Sequence, residues 1–442
     1  MIESVDVGEK YFAGIVCDDC GEKEMEKIAI DLLWLRPGKV GGTESYIRNL
    51  LDGMAGLDEE FDFTLLVSQD NADTFRKYEK DDRFHLLEAR IRSDNIGKRI
   101  IWQNLFQNRM LRRNGFRKCF EPVYCKPWLN GGIQYTCVIH DLQAMHYPEY
   151  HPFHEVAYSR LCWRMDIMNA ARIVAISKWV REDIKQKYGR KDIEVIYNPI
   201  LIKESEVTEF EGLGRKYKIE KKQFYYTVSQ MIPHKNLMTL IRVMEIVAKQ
   251  QRNCDDNACG PERKSSMCRL PGKLLISGVN GNAAEELKRQ IMEKNLEDAV
   301  ILTGFVSNEE RNTLYQNCHA FLFPSVFEGF GMPPVEAMLF HTPVITTKCT
   351  SIPEVTQGRA LYVEDPYDAD EWVRKLSEVH GICMQEEGSD VKPGRIQDSG
   401  AGPDLEQREE FGQETLDFAV YSPERISRKY LEFLKEPVWK KR

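Results

Sequence analysis

Short runs that are apolar at nearly every position recur along this chain, each separated from the next by a stretch with helical spacing. In the first half the runs are KIAIDLLWL, FDFTLLVS, RFHLLEA, QYTCVIH, ARIVAIS and DIEVIYN, with ESYIRNLLDGMA and SKWVREDIKQKYG among the intervening segments. The second half repeats the plan with FYYTVSQ, KLLISG, AVILTG, AFLFPS, PVITT and ALYVE, separated by NLMTLIRVMEIVAKQ, AAEELKRQIMEKN, NEERNTLYQNC and PVEAMLF. A strand without polar alternation must be covered on both faces, and strands that alternate with helices pair in parallel. Two such series in 442 residues, more than one core usually serves, predict an α/β chain of two Rossmann-like domains.

The domain boundaries follow from where this pattern fades. Residues 25–200 form the expected first domain and 219–420 the second, with 201–218, inside the charged stretch NPILIKESEVTEFEGLGRKYKIEKK, as linker. Residues 1–24 read as a flexible segment, and 250–272 and 384–414 read as loop insertions, because their Gly, Pro, Ser and charge content supplies little surface to bury. The terminal stretch 421–442 contains an amphipathic helix, YSPERISRKYLEFLKE.

A net charge of −8 argues against a nucleic-acid partner, since phosphate affinity needs concentrated Lys and Arg. No run approaches a membrane span, and MIESVDVGEKYF has neither a basic nor an apolar leader region, so a cytoplasmic protein is expected. The twelve cysteines, such as Cys137 in a strand and Cys162 in a helix, read as reduced and buried thiols. Cys17 and Cys20, with the looser group Cys254, Cys259 and Cys268, do not make a convincing zinc set. The segment NIGKRIIWQNLFQNRMLRRNGFRKCF carries seven Lys or Arg and no acid, with Trp102, Phe106 and Phe116 interleaved. It reads as a basic amphipathic helix, either packed with its charges solvated or in peripheral contact with an anionic membrane, the first being favoured.

The chemistry concentrates in FPSVFEGFGMPPVEAMLF, residues 323–340. AFLFPS is a strand, Pro333 and Pro334 suit a first helical turn, and the loop between them lies where open α/β sheets bind ligands. Gly329 and Gly331 allow close backbone approach, and a helix N-terminus favours a phosphate. Glu328 and Glu336 accept hydrogen bonds only, which suits the paired hydroxyls of a sugar or ribose. A diphosphate together with sugar rings describes a nucleotide sugar.

These residues, in order with GKVGGTESYIRNLL, VIHDLQAMHYPEYHP, ARIVAISKWVREDI, VIYNPI, VSQMIPHKNLMTLI, ILTGFVSNEERNTLYQNCHAFLFPS and SIPEV, resemble family 4 retaining glycosyltransferases of the GT-B fold. The resemblance covers residues 27–436 apart from the two insertions, and HDLQAMHYPEYHP is closest in character to mannosyltransferases. It implies that Glu336 holds the ribose and Glu328 lies beside the donor sugar. It implies further that Phe330, Gly331 and Met332 offer amides to sugar and diphosphate, and that Lys235 pairs with the leaving diphosphate. Gly304, Phe305 and Val306 resemble the segment meeting the base; Gly41 and Gly42 resemble the glycine loop facing phosphates and acceptor; His140 and Asp141 resemble the pair near the reacting sugar. The C-terminal helix is then expected to cross back to the first domain.

Gln230 departs from the pattern, standing where many members carry an arginine, with Arg311 or Lys348 as candidate replacements. The resemblance implies retention, by front-face attack or with Glu328 as a covalent nucleophile. The donor would be GDP-mannose or a UDP-sugar and the acceptor a glycan or lipid-linked oligosaccharide. No cofactor and no metal are expected, because a lysine and a helix N-terminus can stabilise a departing diphosphate, and Asp368 and Asp370 read better as a helix cap than as metal ligands. His146, His151 and His154 read as surface loop. Other readings are a GT-B phosphorylase or epimerase, or a catalytically silent sugar-binding relative.

Overall fold

The computed structural model describes residues 26–39, 41–124, 126–202, 204–255, 270–388 and 416–436. The N-terminal segment 1–24 and most of both expected insertions lie outside the described residues, as do Cys17, Cys20, Cys259 and Cys268.

The first half runs β1 (Lys27–Asp31), α1 (Gly42–Ala55), β2 (Asp62–Ser68), β3 (Phe84–Ala89), α2 (Ile96–Trp102), α3 (Asn108–Arg113), β4 (Lys118–Glu121), β5 (Gln134–Ile139), α4 (Gln143–His146), α5 (Phe153–Asn169), β6 (Arg172–Ala175), α6 (Lys178–Tyr188) and β7 (Ile193–Val195). Its parallel sheet has the order β3-β2-β1-β4-β5-β6-β7. After α7 (Phe210–Tyr217), the second half runs β8 (Tyr225–Val228), α8 (Leu237–Asp255), β9 (Leu274–Ser277), α9 (Ala284–Glu293), β10 (Val300–Gly304), α10 (Asn308–Asn317), β11 (Ala320–Phe323), α11 (Met332–Leu339), β12 (Val344–Thr347), α12 (Ile352–Val355), β13 (Leu361–Val363), α13 (Ala369–Gly388) and α14 (Pro423–Lys435). Its parallel sheet has the order β10-β9-β8-β11-β12-β13. The strand order reverses between β1 and β4 and again between β8 and β11, and such switch points open crevices at the carboxyl ends of the strands.

Every apolar run read from the sequence becomes a strand, but β4 is an addition. The sequence reading carries the basic helix through Phe120, whereas Lys118–Glu121 pairs with both β1 and β5. Lys118 hides the strand because a buried lysine breaks the apolar pattern. Its ammonium is satisfied by the carbonyl of Leu434 at 2.9 Å and the carboxylate of Glu26 at 2.7 Å. Within the linker stretch 201–218, Phe210, Leu213 and Tyr217 make α7 an amphipathic helix that packs on Phe224 in the second half. The stretches 250–255 and 384–388 complete α8 and α13.

The last helix does cross back. Ile426, Tyr430, Leu431 and Leu434 are buried in the core of the first half, each contributing about 2 kcal/mol by area removed from water. Ser427 Oγ donates to the Leu50 carbonyl at 3.0 Å, and a Cβ on Gly53 of α1 would lie 2.7 Å from Pro423 O, so glycine is what lets the two helices touch. Among the described residues Cys119, Cys137, Cys162 and Cys318 are free, buried thiols.

Candidate active site

Both switch points open toward each other. Lys235 follows β8 on a short 3-10 turn, Pro233–Lys235, and Glu328 follows β11; the ammonium and carboxylate meet at 2.6 Å, both mostly shielded from water. Loop 327–331 is fixed from several sides. Thr350 Oγ1 accepts from Glu328 N at 3.0 Å, and Ser351 Oγ lies within hydrogen-bond reach of the Glu328 and Phe330 carbonyls. From the first half, Ser177 Oγ donates to Gly329 O at 2.8 Å while capping its own helix, α6.

Beyond that loop α11 starts at Gly331, whose φ of 89° is the left-handed conformation glycine tolerates, and no side chain caps the helix. Of its first three residues only Met332 carries an N–H, because Pro333 and Pro334 have none, and that donor has no intrahelical acceptor. α1 begins in the same way, after Gly41 at φ 62°, again with no side-chain cap. A Cβ on Gly42 would sit 3.6 Å from Met332 Cε, so two uncapped helix N-termini, one from each half, converge beside the Lys235–Glu328 pair. Two helix dipoles and an ammonium gathered in this way suit an anion, with the Glu328 carboxylate as the present partner of that ammonium. By contrast α6 is capped across the same gap: Glu354 accepts from Lys178 N, Trp179 N and the Tyr197 hydroxyl.

Glu336 sits one helical turn into α11, buried, accepting from Tyr315 OH at 2.9 Å and pairing with Arg311 at 3.7 Å. Burial next to that carboxylate drives the Tyr315 hydroxyl well above the ordinary phenol range. Gly304 closes β10 at φ 72°, Val306 is buried, and Phe305 is 80% exposed, an unpaired aromatic face at the rim of the same sheet end.

His140 ends β5. Its Nε2 donates to the Pro122 carbonyl at 2.8 Å, its ring packs edge-on against Tyr46, and burial holds it down to about 4. The neutral ring therefore keeps its Nδ1 lone pair free of a proton. Asp141 accepts from Gln143 N at 2.9 Å; burial raises its carboxyl, the nearby Glu328 charge adds to this, and Lys235 opposes it. One further contact joins the halves: Gln143 Nε2 donates to His234 Nδ1 at 2.6 Å.

Two family models match this chain in consecutive blocks, the glycosyltransferase family 4 model over residues 40–203 and the glycosyl transferases group 1 model over residues 211–380. The chain belongs to glycosyltransferase family 4. Over 249 residues it is 26% identical to the O-antigen chain mannosyltransferase RfbU of Salmonella typhimurium, covering 56% of this chain and 61% of that protein. It is also 26% identical over 235 residues to the O-antigen chain mannosyltransferase B of Escherichia coli, covering 52% and 57%. The aligned region thus spans about three-fifths of these relatives' own length. The structure of Anabaena HepE in complex with UDP superposes with a TM-score of 0.61 at 16% identity, covering 93% of this chain and 99% of that one, and shares the GT-B fold.

In this family 4 chain Gln230 is exposed just past β8. Of the two candidate replacement cations, Lys348 is engaged with Glu364 at the surface, while Arg311 lies on α10 against Glu336. Its buried Nε has no hydrogen-bond acceptor. Asp368 accepts from Asp370 N and Glu371 N and so caps α13 as expected. His146 corrects the surface-loop reading. It lies on α4, bonds Asp183 at 2.8 Å and packs on Trp179 and Phe327, because a half-buried imidazole there fills the seam between the halves. Sequence reasoning also missed Ser177, Tyr315, Thr350, Ser351 and Gln143. Glu354 was in plain view within SIPEV, but its role depends on α6 lying opposite.

Two buried histidines tie stability to pH. Burial lowers His140 to about 4, and burial with the neighbouring Lys235 charge lowers His234 to about 2, both from 6.5. The unfolded chain therefore takes up these protons near pH 6.5 while the folded chain does not, so stability falls as pH drops below that value. The melting temperature is expected to fall between pH 7 and pH 5, and to fall less in His140→Gln.

Proposed function

We propose that this protein is a retaining, metal-independent hexosyltransferase that moves mannose from a nucleotide-diphosphate sugar to a hydroxyl of a glycan or lipid-linked acceptor. The observation that carries this reading is the convergence of two uncapped helix N-termini on the Lys235–Glu328 pair. Breaking a glycosyl phosphate bond leaves negative charge on the departing diphosphate and develops positive charge at the anomeric carbon. The helix ends and Lys235 meet the first, and the Glu328 carboxylate meets the second. In front-face attack the acceptor oxygen bonds to the anomeric carbon as the phosphate oxygen leaves, and that oxygen takes the acceptor's proton. Glu328 as a covalent nucleophile is the competing route. Neutral His140 and the Asp141 carboxyl would orient sugar hydroxyls, and Glu336, held by Tyr315 and Arg311, would accept from the ribose.

GDP-mannose is the first donor candidate, because the O-antigen relatives are named mannosyltransferases. A UDP-sugar is the second, since a structural neighbour was solved with UDP. Arg311 supplies the cation that Gln230 does not. Arg311→Ala is expected to lower kcat about tenfold with a smaller rise in the donor KM, and unchanged kinetics would return that role to another group. The deciding experiment is donor turnover in EDTA by the native chain and by Glu328→Gln, alongside thermal shifts with GDP, UDP and ADP. Nucleotide release by the native chain alone supports the proposal. Thermal shifts without any turnover would make the chain a silent sugar-binding relative.

A further inference from the structure

The helix that reads as basic in the sequence presents an apolar stripe as well. Gln103 and Gln107 lie in a π-helical turn, Gln103–Gln107, joining α2 to α3, and both donate to the buried Asp31 carboxylate at 3.0 and 2.9 Å. Asp31 ends β1, and Gln107 also reaches Glu121 at the end of β4, so this helix lies over the switch point of the first sheet. Its inner face is thereby fixed. The outer face is left with Ile101 61% exposed and Leu105 66% exposed.

This stripe does not end with the helix. Asn104 accepts from Trp128 N, and Asn108 donates to the Leu129 carbonyl, which sets exposed Trp128 and Leu129 (77% exposed) beside it. Asn130 then donates to the Asn169 carbonyl at the end of α5, a helix whose exposed face carries Leu161 and Met168. Single exposed apolar residues need no explanation, but a continuous set on three neighbouring segments does.

The charges around it are of one sign. Arg109, Arg112 and Arg113 on α3 and Arg160 and Arg164 on α5 are exposed or nearly so, and among the described residues none forms an ion pair. No acid occurs from residue 95 to residue 120, in a chain whose net charge is −8. Elsewhere on the surface the basic residues are commonly paired, as in Arg76 with Asp73 and Arg289 with Glu286. Apolar side chains rimmed by unpaired arginines complement the surface of an anionic bilayer, where rings and aliphatic chains enter the headgroup boundary and arginines meet lipid phosphates.

We infer that the face formed by Ile101, Leu105, Trp128, Leu129, Leu161 and Met168, ringed by these arginines, docks this protein on an anionic lipid bilayer. It rests on the proposed reaction for its purpose. With α2 and α3 lying over the ends of β1 and β4, a docked membrane would stand beside the mouth of the cleft and deliver a lipid-linked acceptor to the Gly41–Gly42 loop.

The test is co-sedimentation with vesicles of phosphatidylcholine alone and with added phosphatidylglycerol. The native chain is expected to sediment with the anionic vesicles and to be released by salt. Arg112→Ser/Arg113→Ser should weaken partitioning by more than tenfold, at about fivefold per charge, and Leu105→Ser/Leu129→Ser should weaken it by a comparable amount. Turnover of the water-soluble donor should be unchanged in both, which keeps this test separate from that of the reaction: vesicle binding without turnover would sink the reaction and keep the surface. A native chain that stays in the supernatant overturns the inference. So does equal binding by all variants, and so does a concentration-dependent dimer that only Leu105→Ser/Leu129→Ser abolishes, which would make the face an interface between copies.

Discussion

Replacing Lys235 with alanine is expected to lower turnover on the order of a thousandfold, the size of loss seen when a group aimed at developing charge is removed from a shielded site. The lysine's contribution grows as the bond to phosphate breaks, so kcat should fall much more than the donor KM rises. A second effect follows from what the ammonium leaves behind. Glu328 meets Lys235 at 2.6 Å, and its charge already helps raise the Asp141 carboxyl while Lys235 opposes that rise. Without the lysine two carboxyls face each other across the gap with no counter-charge, and the titration of Asp141 should move further upward. The residual activity of Lys235→Ala should therefore change with pH at a higher value than that of the native chain. Lys235→Arg should recover part of the turnover, since charge is kept while the reach and shape change. Activity of Lys235→Ala within fivefold of native would remove the lysine from the reaction. Melting curves alongside separate lost chemistry from lost fold.

The fold was legible because its signal is coarse. Runs such as KLLISG and AFLFPS need only be apolar and flanked by turn residues to read as covered parallel strands, and each became one. β4 escaped because Lys118 occupies a core position through a long-range bond to the Leu434 carbonyl, and nothing local announces that partner. In the same way Glu328, Glu336 and Lys235 lie in dense motifs at the ends of readable strands, so their placement could be expected. Ser177, Tyr315 and Gln143 are ordinary residues whose importance comes from what faces them after folding. Exposure was the least legible property. The sequence of the basic helix suggested that its apolar face packs inward, and Trp102, Met110, Leu111 and Phe116 do pack on the core, but Gln103 and Gln107, anchored on Asp31, share the inward side while Ile101 and Leu105 are left outside. A buried carboxylate drew two amides to the inner side and left two aliphatic side chains outside.

Gly329→Ala is expected to reduce turnover about a hundredfold while leaving nucleotide binding within a fewfold of native. The glycine is required by proximity: a Cβ there would stand 1.9 Å from His140 O and 3.0 Å from Asp141 Cβ. Both obstacles are close to backbone, so neither can swing aside as a flexible side-chain end would. The loop and the β5 turn must then separate by on the order of 1 Å, a displacement that costs about two orders of magnitude when it separates reacting groups. The Ser177–Gly329 bond would be stretched as well, while Glu336, Tyr315 and Arg311 all lie within the second half and keep their geometry. Small-angle scattering should show the variant slightly more extended than the native chain, and Ser177→Ala, which removes the bond without a clash, should lose far less activity. If Gly329→Ala turned over donor at the native rate, the contact between the halves at this loop would have no part in the reaction, and the site would work without the approach of His140 and Asp141.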